Sequence, residues 1–206
     1  LPGDIKYKDV NGDGVITSDD QVPLSSNPNY PRLMYGFGAE FRWKKLTLGL
    51  LFKGVGNVEN YVVDYWKSGS GFLPFGTGTT GNVLAITANQ GNRWTPREIS
   101  GTPATENPNA MFPRLSYGND HNSVQNSTFW KTNARYLRLQ EINLSYNFTS
   151  GKILKAVGVS SLDLQFVASN VCVWSPFKHW DPELAAYNGT AYPIPARYAF
   201  QMYINF

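Results

Sequence analysis

The chain has 206 residues, enough for one large domain or two small ones. Charged residues make up only 16% of it, against about 25% in an ordinary soluble domain. The net charge of +3 comes from scattered Lys and Arg, so the basic stripe of a nucleic-acid-binding protein is missing, and a single cysteine excludes an internal disulfide framework. The 19 glycines and 13 prolines favour short strands and turns over long helices.

An acidic stretch near the start, KDVNGDGVITSDD (residues 8–20, hereafter the acidic loop), has the ligand spacing of a calcium loop. The candidate ligands are Asp9, Asn11, Asp13, Val15, Thr17 and Asp20. The flanking segments are extended or rich in proline, which argues against an EF-hand sensor with its paired helices. Two interpretations remain: a structural Ca²⁺ site, or a metal-free turn in which Asp and Asn side chains bind their own backbone.

Two-residue alternation of apolar and polar side chains predicts five antiparallel strands and therefore an all-β fold. The predicted strands cover about 33–43, 46–56, 134–149, 159–173 and 197–206. In the third strand the phase of the alternation changes, and a β-bulge near Gln140 and Glu141 would restore its continuity.

The connections between these strands are unequal in length. Two are short, Lys44–Lys45 and about 150–158, whereas residues 1–32, 57–133 and 176–196 form long segments. Short turns at one end and long loops at the other are typical of bacterial outer-membrane β-barrels. We therefore expect extracellular long loops and a periplasmic C-terminus. The aromatic residues at strand ends that would form the interfacial girdles are Tyr35, Trp43, Tyr136, Trp174 and Tyr198. Five strands cannot close a barrel, so a larger barrel is predicted.

Six motifs in collinear order resemble the C-terminal barrel region of SusC/RagA-like TonB-dependent transporters. They are GDIKYKDVNGDGVITSDD, PRLMYGFGAEFRWKKLTLGLLFKG, NRWTP, NARYLRLQEINLSYNF, WDPEL and YPIPARYAFQMYINF. The resemblance covers essentially the whole chain.

This resemblance implies a 22-stranded outer-membrane barrel, of which the chain carries the last five strands and not the plug domain. It implies active import of oligosaccharides or peptides, with energy relayed by the TonB complex through the plug region. The implied partners are the rest of the barrel with its plug, a SusD-like surface lipoprotein that acts as a lid, and outer-membrane lipid.

Two long segments contain candidate contacts to cargo or lid. One holds Trp174, His179, Trp180 and Asp181, and the other holds Trp66, Arg93 and Trp94. Aromatic rings and carboxylates suit sugar binding, but the same aromatic residues also suit packing of the loop onto itself and onto the lid, which is the favoured interpretation.

The last strand is predicted to serve as an assembly signal through its apolar face. This face consists of Tyr198, Phe200, Met202, Ile204 and Phe206. No catalytic arrangement is recognisable, because the two histidines lie in different loops and no nucleophile motif is present, so we expect no enzymatic activity. The alternative to a transporter is a soluble, calcium-stabilised, carbohydrate-binding β-sandwich.

Overall fold

A computed structural model shows the fold of the chain and describes residues 1–24, 30–62, 85–115, 122–123, 125–149, 156, 158–187 and 191–206. The chain divides into two compact units. Unit 1 comprises Leu1–Ser26, Tyr61–Thr132 and Tyr187–Thr190, and unit 2 comprises Asn27–Asn60, Asn133–Ala186 and Ala191–Phe206. Within the described ranges, no helix is both long and apolar enough to cross a membrane.

Five long strands of unit 2 form one antiparallel sheet in the order β1-β2-β5-β6-β7. The strands are β1 (Leu33–Trp43), β2 (Leu46–Gly56), β5 (Tyr136–Thr149), β6 (Ser161–Trp174) and β7 (Arg197–Asn205). Their bounds differ from the predicted ones by two residues at most. The prediction of an all-β fold with five antiparallel strands is therefore confirmed.

The remaining elements are short. Strands β3 (Glu59–Tyr61) and β4 (Lys131–Asn133) form a two-stranded sheet, while α1 (Ala85–Ala88) and α2 (Arg97–Ser100) are single helical turns. In the described part of the chain, 3₁₀ turns lie at Ser18–Asp20, Pro103–Thr105 and Pro182–Tyr187. Beside the five-stranded sheet, the described residues contain no second sheet of comparable size.

The strand register places the apolar residues of all five strands on one face of the sheet. One row across the sheet consists of Phe41, Leu48, Leu144, Phe166 and Phe200, each paired with the next. Paired residues of neighbouring strands share a face, and successive residues along a strand alternate between faces. The sheet therefore has one continuous apolar face.

The adjacent row is polar throughout and lies on the opposite face. It consists of Arg42, Thr47, Ser145, Gln165 and Gln201. On this face, the amide of Gln165 donates to Oδ1 of Asn143, two residues before Ser145 on β5, over 2.9 Å. The alternation seen in each strand is therefore in phase across the whole sheet.

The predicted bulge lies at Gln140. The pairing of β5 with β2 shifts by one residue between the Leu51–Glu141 and Phe52–Leu139 pairs, and the pairing with β6 shifts at the same point. The extra residue explains the change of phase in the sequence of β5, because it places Leu139 and Ile142, which are three residues apart, on the same face of the sheet.

Two local features fix the ends of β1 and β2. At the turn, Lys44 adopts a left-handed backbone conformation (φ 55°), and its Nζ lies 4.9 Å from the centre of the Trp43 ring. At the opposite end, the ring of Tyr35 lies over Gly54, where a Cβ atom would be only 2.4 Å from the ring. A glycine is therefore required at position 54 for Tyr35 to pack there and to donate to the Tyr136 carbonyl over 3.3 Å.

Unit 1 is built around buried aromatic residues rather than around a large sheet. Phe112 and Trp130 are almost fully buried, and the Trp130 indole donates to the Ser123 carbonyl over 2.8 Å. The main chain of Phe112 bonds to Asn92 and Trp94. These contacts hold together segments of unit 1 that are distant in sequence, without any hydrophobic periodicity.

Candidate functional site: the sheet faces, the loop anchor and the cavity

The apolar face of the sheet is exposed over its whole width. The exposed fractions are 60% for Phe41 on β1, 38% for Leu144 on β5 and 85% for Phe200 on β7. Exposed apolar patches of this extent are rare on soluble monomers and mark contact with a partner or a membrane. The predicted assembly-signal residues of β7 all belong to this face or its extension, with Phe206 at 87% exposure.

The length of the strands is close to the thickness of the apolar band on outer-membrane barrels. Strands β1 and β2 are 11 residues long. At a rise of about 3.3 Å per residue and a tilt of about 40°, such a strand covers about 28 Å along the membrane normal, close to the apolar band of about 25 Å on outer-membrane barrels. Trp43 and Tyr198, predicted girdle residues, are 68% and 63% exposed.

A buried ion network anchors the loop that follows β6. Arg138, on β5, is 2% exposed, and its Nη2 donates to both carboxylate oxygens of Asp181 over 2.5 and 2.7 Å. Glu183 lies 3.3 Å from Arg138 Nε and 2.6 Å from Lys53 Nζ on β2. The two acidic residues of the WDPEL motif are thus held by cations of two neighbouring strands. Asp181, predicted as a contact to cargo or lid, is engaged in this anchor.

The aromatic residues of the same loop pack onto one another. Phe177 is 4% exposed and lies edge-to-face with Trp180, with ring centres 5.0 Å apart. His179 lies 5.2 Å from Phe177, and burial lowers the pKa of its imidazole. The Trp180 indole donates to the Leu184 carbonyl over 3.1 Å. This arrangement agrees with packing of the loop, whereas Trp174 at the end of β6 is 53% exposed.

The acidic loop binds its own backbone. Asp9 accepts the N–H groups of Gly12 and Gly14 over 2.6 and 2.8 Å. Asp20 accepts those of Val10 and Thr17 over 2.7 and 2.8 Å, and the bonds from Thr17 and Val10 lower the pKa of its carboxyl group.

The middle of the loop has the same kind of bond, since Asn11 Oδ1 accepts the N–H of Asp13 over 2.9 Å and Asp13 Oδ1 accepts that of Val15 over 2.8 Å. Among the described residues, no group of three or more His, Cys, Asp or Glu side chains is gathered closely enough to hold a metal. The hydrogen bonds of this loop are those of the metal-free turn, one of the two interpretations of the sequence, and the calcium site stays a prediction.

Unit 1 contains a cavity of about 1450 Å³. Its lining includes Trp94, which packs so closely on Gly3 (φ 87°) that a Cβ atom there would lie 2.3 Å from the indole. Arg93, also predicted as a contact, donates to the carbonyls of Thr87 and Ala88 over 3.0 and 2.5 Å and so holds the end of α1. Trp66 lies outside the described residues.

Comparison with known proteins finds one similar curated receptor. No family model matches the chain. The curated TonB-dependent receptor P26 of Formosa agariphila is 28% identical over 220 residues, an alignment that covers 99% of this chain and 20% of that receptor. The chain is therefore similar in sequence to a TonB-dependent receptor. It spans about a fifth of the length of this relative.

Solved structures of the RagAB peptide importer have the same fold. The closed-closed state gives a TM-score of 0.59 at 19% identity and covers 94% of this chain and 20% of the RagAB chain. The open-open state gives 0.54 at 19% identity, with 85% and 17% covered. The predicted resemblance to SusC/RagA-like transporters is thereby confirmed. The relatives are named as a receptor and as a peptide importer, and neither name describes an enzyme, in line with the expectation from the sequence.

Sequence reasoning missed several residues of the site. Arg138 and Lys53 were not singled out, although a charged residue within an otherwise alternating strand is a signal of a buried partner.

Proposed function

We propose that the chain forms part of the wall of an outer-membrane, TonB-dependent active transporter. One observation carries this proposal: five strands share one register in which an exposed apolar row, from Phe41 to Phe200, alternates with a polar row, from Arg42 to Gln201. A wall between lipid and an aqueous lumen needs this two-faced pattern. The apolar face contacts outer-membrane lipid, and the polar face lines the lumen.

Closure of the barrel requires further strands. In the described sheet, β1 pairs only with β2 and β7 only with β6, so each has one edge with unpaired backbone groups. Lipid leaves no water to satisfy such groups, and only a closed barrel removes both edges. We therefore propose that the remainder of a 22-stranded barrel, together with its plug domain, pairs with these two edges, and that the TonB complex acts through that plug.

The loops are proposed to lie outside the cell and the C-terminus of β7 in the periplasm. The anchored loop that contains Asp181 and the cavity of unit 1 then face a SusD-like surface lipoprotein and the cargo, which we propose to be oligosaccharides or peptides. The RagAB neighbours, whose names describe a peptide importer, support this assignment at the level of fold.

A structural Ca²⁺ ion in the acidic loop is a separate and narrower proposal. It is supported by the spacing of the ligands. The backbone bonds described above compete with it, because oxygens of Asp9 and Asp20 already accept N–H groups. Binding would require rearrangement of these side chains.

The proposed function is tested in a strain that expresses the intact receptor with this chain. We expect the receptor to fractionate with the outer membrane and to support cargo uptake that stops when TonB is removed. A receptor recovered as a water-soluble monomer without detergent would contradict the proposal.

A further inference from the structure

The loop that follows β6 lies over the polar face of the sheet. Lys53 stands on that face because it follows Thr47 of the polar row by an even number of residues on β2, which pairs with β1 without a shift. Arg138 is paired directly with Lys53, so it stands on the same face. Since Glu183 contacts both cations, residues 175–184, hereafter the strap, are held against the polar face.

The wall beneath the strap is shielded from water. Tyr136 and Arg138, at the start of β5, are 8% and 2% exposed. At the opposite end of the polar face, the side chain of Arg42 is 75% exposed. A layer packed on a sheet lies about 10 Å from it. The strap adds such a layer at the end of the sheet where β2 ends and β5 begins.

Contacts within the strap give it a fixed shape. The rings of Phe177 and Trp180 pack edge-to-face with centres 5.0 Å apart, and the Trp180 indole donates to the Leu184 carbonyl. Asp181 Oδ1 accepts the N–H of Glu183 over 3.0 Å, so a carboxylate that binds the wall also holds the turn of the strap.

The strap is attached to the wall at two places. At its start, the Ser175 hydroxyl donates to the carbonyl of Arg135, the residue before β5, over 2.7 Å. Further along, its two carboxylates bind Arg138 and Lys53. A segment with internal contacts and two attachments keeps its position on the wall. In a closed barrel the polar face lines the lumen, so the bulk of the strap occupies part of the lumen.

We propose that the strap is an inward-folded constriction that limits the size of the solutes that reach the luminal wall of β2 and β5. Arg138 and Lys53 are positioning residues, which act by holding the strap against this wall. The inference rests on the proposed function, because it requires a closed barrel whose lumen is lined by the polar face.

Two cysteine reporters at the same depth of the barrel test the constriction. Leu51 and Arg197 belong to one row of the polar face that crosses β2, β5, β6 and β7, and both are exposed. Along β2, Lys53 and the strap lie between Leu51 and the proposed extracellular end, whereas Arg197 is the first residue of β7. Leu51→Cys and Arg197→Cys are made separately in the intact receptor, with Cys172→Ser to remove the native thiol of this chain.

The receptor in detergent is treated with N-ethylmaleimide and, in a second sample, with a maleimide that carries a long polyethylene glycol chain. The readout is the rate with the bulky reagent divided by the rate with the small one, which removes the intrinsic reactivity of each thiol. We expect this ratio to be about tenfold lower for Leu51→Cys than for Arg197→Cys, because the bulky reagent reaches position 51 only when the strap opens.

A charge reversal and its rescue test the positioning role. Glu183→Lys places a third cation beside Lys53 and Arg138, so we expect it to release the strap, to accelerate hydrogen exchange of 176–184 and to raise the ratio for Leu51→Cys about tenfold. Adding Lys53→Glu restores a pair of opposite charges and is expected to lower the ratio again. Lys178→Gln, which removes an exposed lysine of the strap, is the matched control and should leave the ratio unchanged.

Equal ratios at the two reporters would overturn the proposal, and this comparison needs no released variant. An unchanged ratio in Glu183→Lys would also overturn it, whether or not exchange of 176–184 accelerates, because the ion contacts would then not determine the constriction. A receptor in the outer membrane that gives either result contradicts the constriction alone. A receptor recovered as a water-soluble monomer without detergent contradicts the proposed function.

Discussion

The guanidinium group of Arg138 lies 2.5 Å from one carboxylate oxygen of Asp181 and 2.7 Å from the other, and thereby fastens the loop after β6 to the wall of the sheet. The side chains are 3% and 13% exposed, so water screens this pair very little. A buried pair is weak evidence for net stability, but removal of one partner leaves a buried charge uncompensated.

We therefore expect Arg138→Met to lower the free energy of opening of this loop by about 3–5 kcal/mol. Asp181→Asn is expected to cost less, because Glu183 still contacts Arg138. Hydrogen exchange of the peptide that covers 176–184 in the intact receptor measures both effects. If Arg138→Met left the exchange unchanged, the anchor would have no role. Combining it with Asp181→Leu and Glu183→Gln should recover part of the loss.

The two faces of the sheet predict opposite outcomes for the same substitution in neighbouring residues. Leu144→Arg places a charge in the apolar row and is expected to destabilise the inserted barrel by about 2–4 kcal/mol. Ser145→Arg places it in the polar row, where we expect a change below about 1 kcal/mol. Chemical unfolding of the intact receptor in lipid measures both. Equal effects would contradict the assignment of the two faces.

The imidazole of His179 predicts a dependence on pH. Burial lowers its pKa from the ordinary value of 6.5, so the ordered loop favours the neutral ring. The stability of the loop is therefore complete above pH 6.5 and declines as pH falls below that value, because the opened loop takes up the proton more readily. We expect hydrogen exchange of 176–184 to accelerate at pH 5.5 relative to a His179→Phe variant measured at the same pH. A constant ratio between the two proteins from pH 7.5 to 5.5 would exclude this role.

If the acidic loop binds calcium, substitution of its ligands should remove one bound Ca²⁺ ion. If the ion binds at Asp9 and Asp13, the intact receptor binds one Ca²⁺ more than the variant with Asp9→Ala and Asp13→Ala, as isothermal titration measures. Identical titrations would leave the metal-free turn as the structure of this loop in solution.

Loss of the proposed assembly signal should impair assembly of the barrel in the outer membrane. The apolar face of β7 ends with Phe206, which is 87% exposed. We expect removal of Phe206 to reduce the amount of receptor in the outer membrane, and removal of the charge at Arg197, by Arg197→Gln, to leave it unchanged. Immunoblots of membrane fractions measure this, and normal levels of the truncated receptor would argue against the signal.

The sheet was predictable because each strand has one apolar and one polar face. Even the bulge at Gln140 was visible, since the apolar phase of β5 changes between Leu139 and Ile142. Unit 1 was not predictable in the same way. Its order depends on contacts such as Asp4–Arg114, which are 110 residues apart and leave no local periodicity.

In the candidate site, too, the motifs were predictable from the sequence and the contacts of their side chains were not. The calcium spacing was evident in the sequence, but whether Asp9 faces an ion or the N–H of Gly14 depends on side-chain orientation, which spacing does not determine. Likewise, WDPEL was recognisable as a motif, but its partner Arg138 is 43 residues from Asp181 and becomes its neighbour only through the pairing of β5 with β6.

The central claim is that one face of the sheet meets lipid and the other meets water. It is tested by spin labels placed one at a time at residues 142–146 of β5 in the intact receptor in lipid, with Cys172→Ser to remove the native cysteine. We expect strict alternation: labels at Ile142, Leu144 and Tyr146 are accessible to oxygen dissolved in lipid, and those at Asn143 and Ser145 to a water-soluble nickel complex. Accessibility to the nickel complex at all five positions would contradict it.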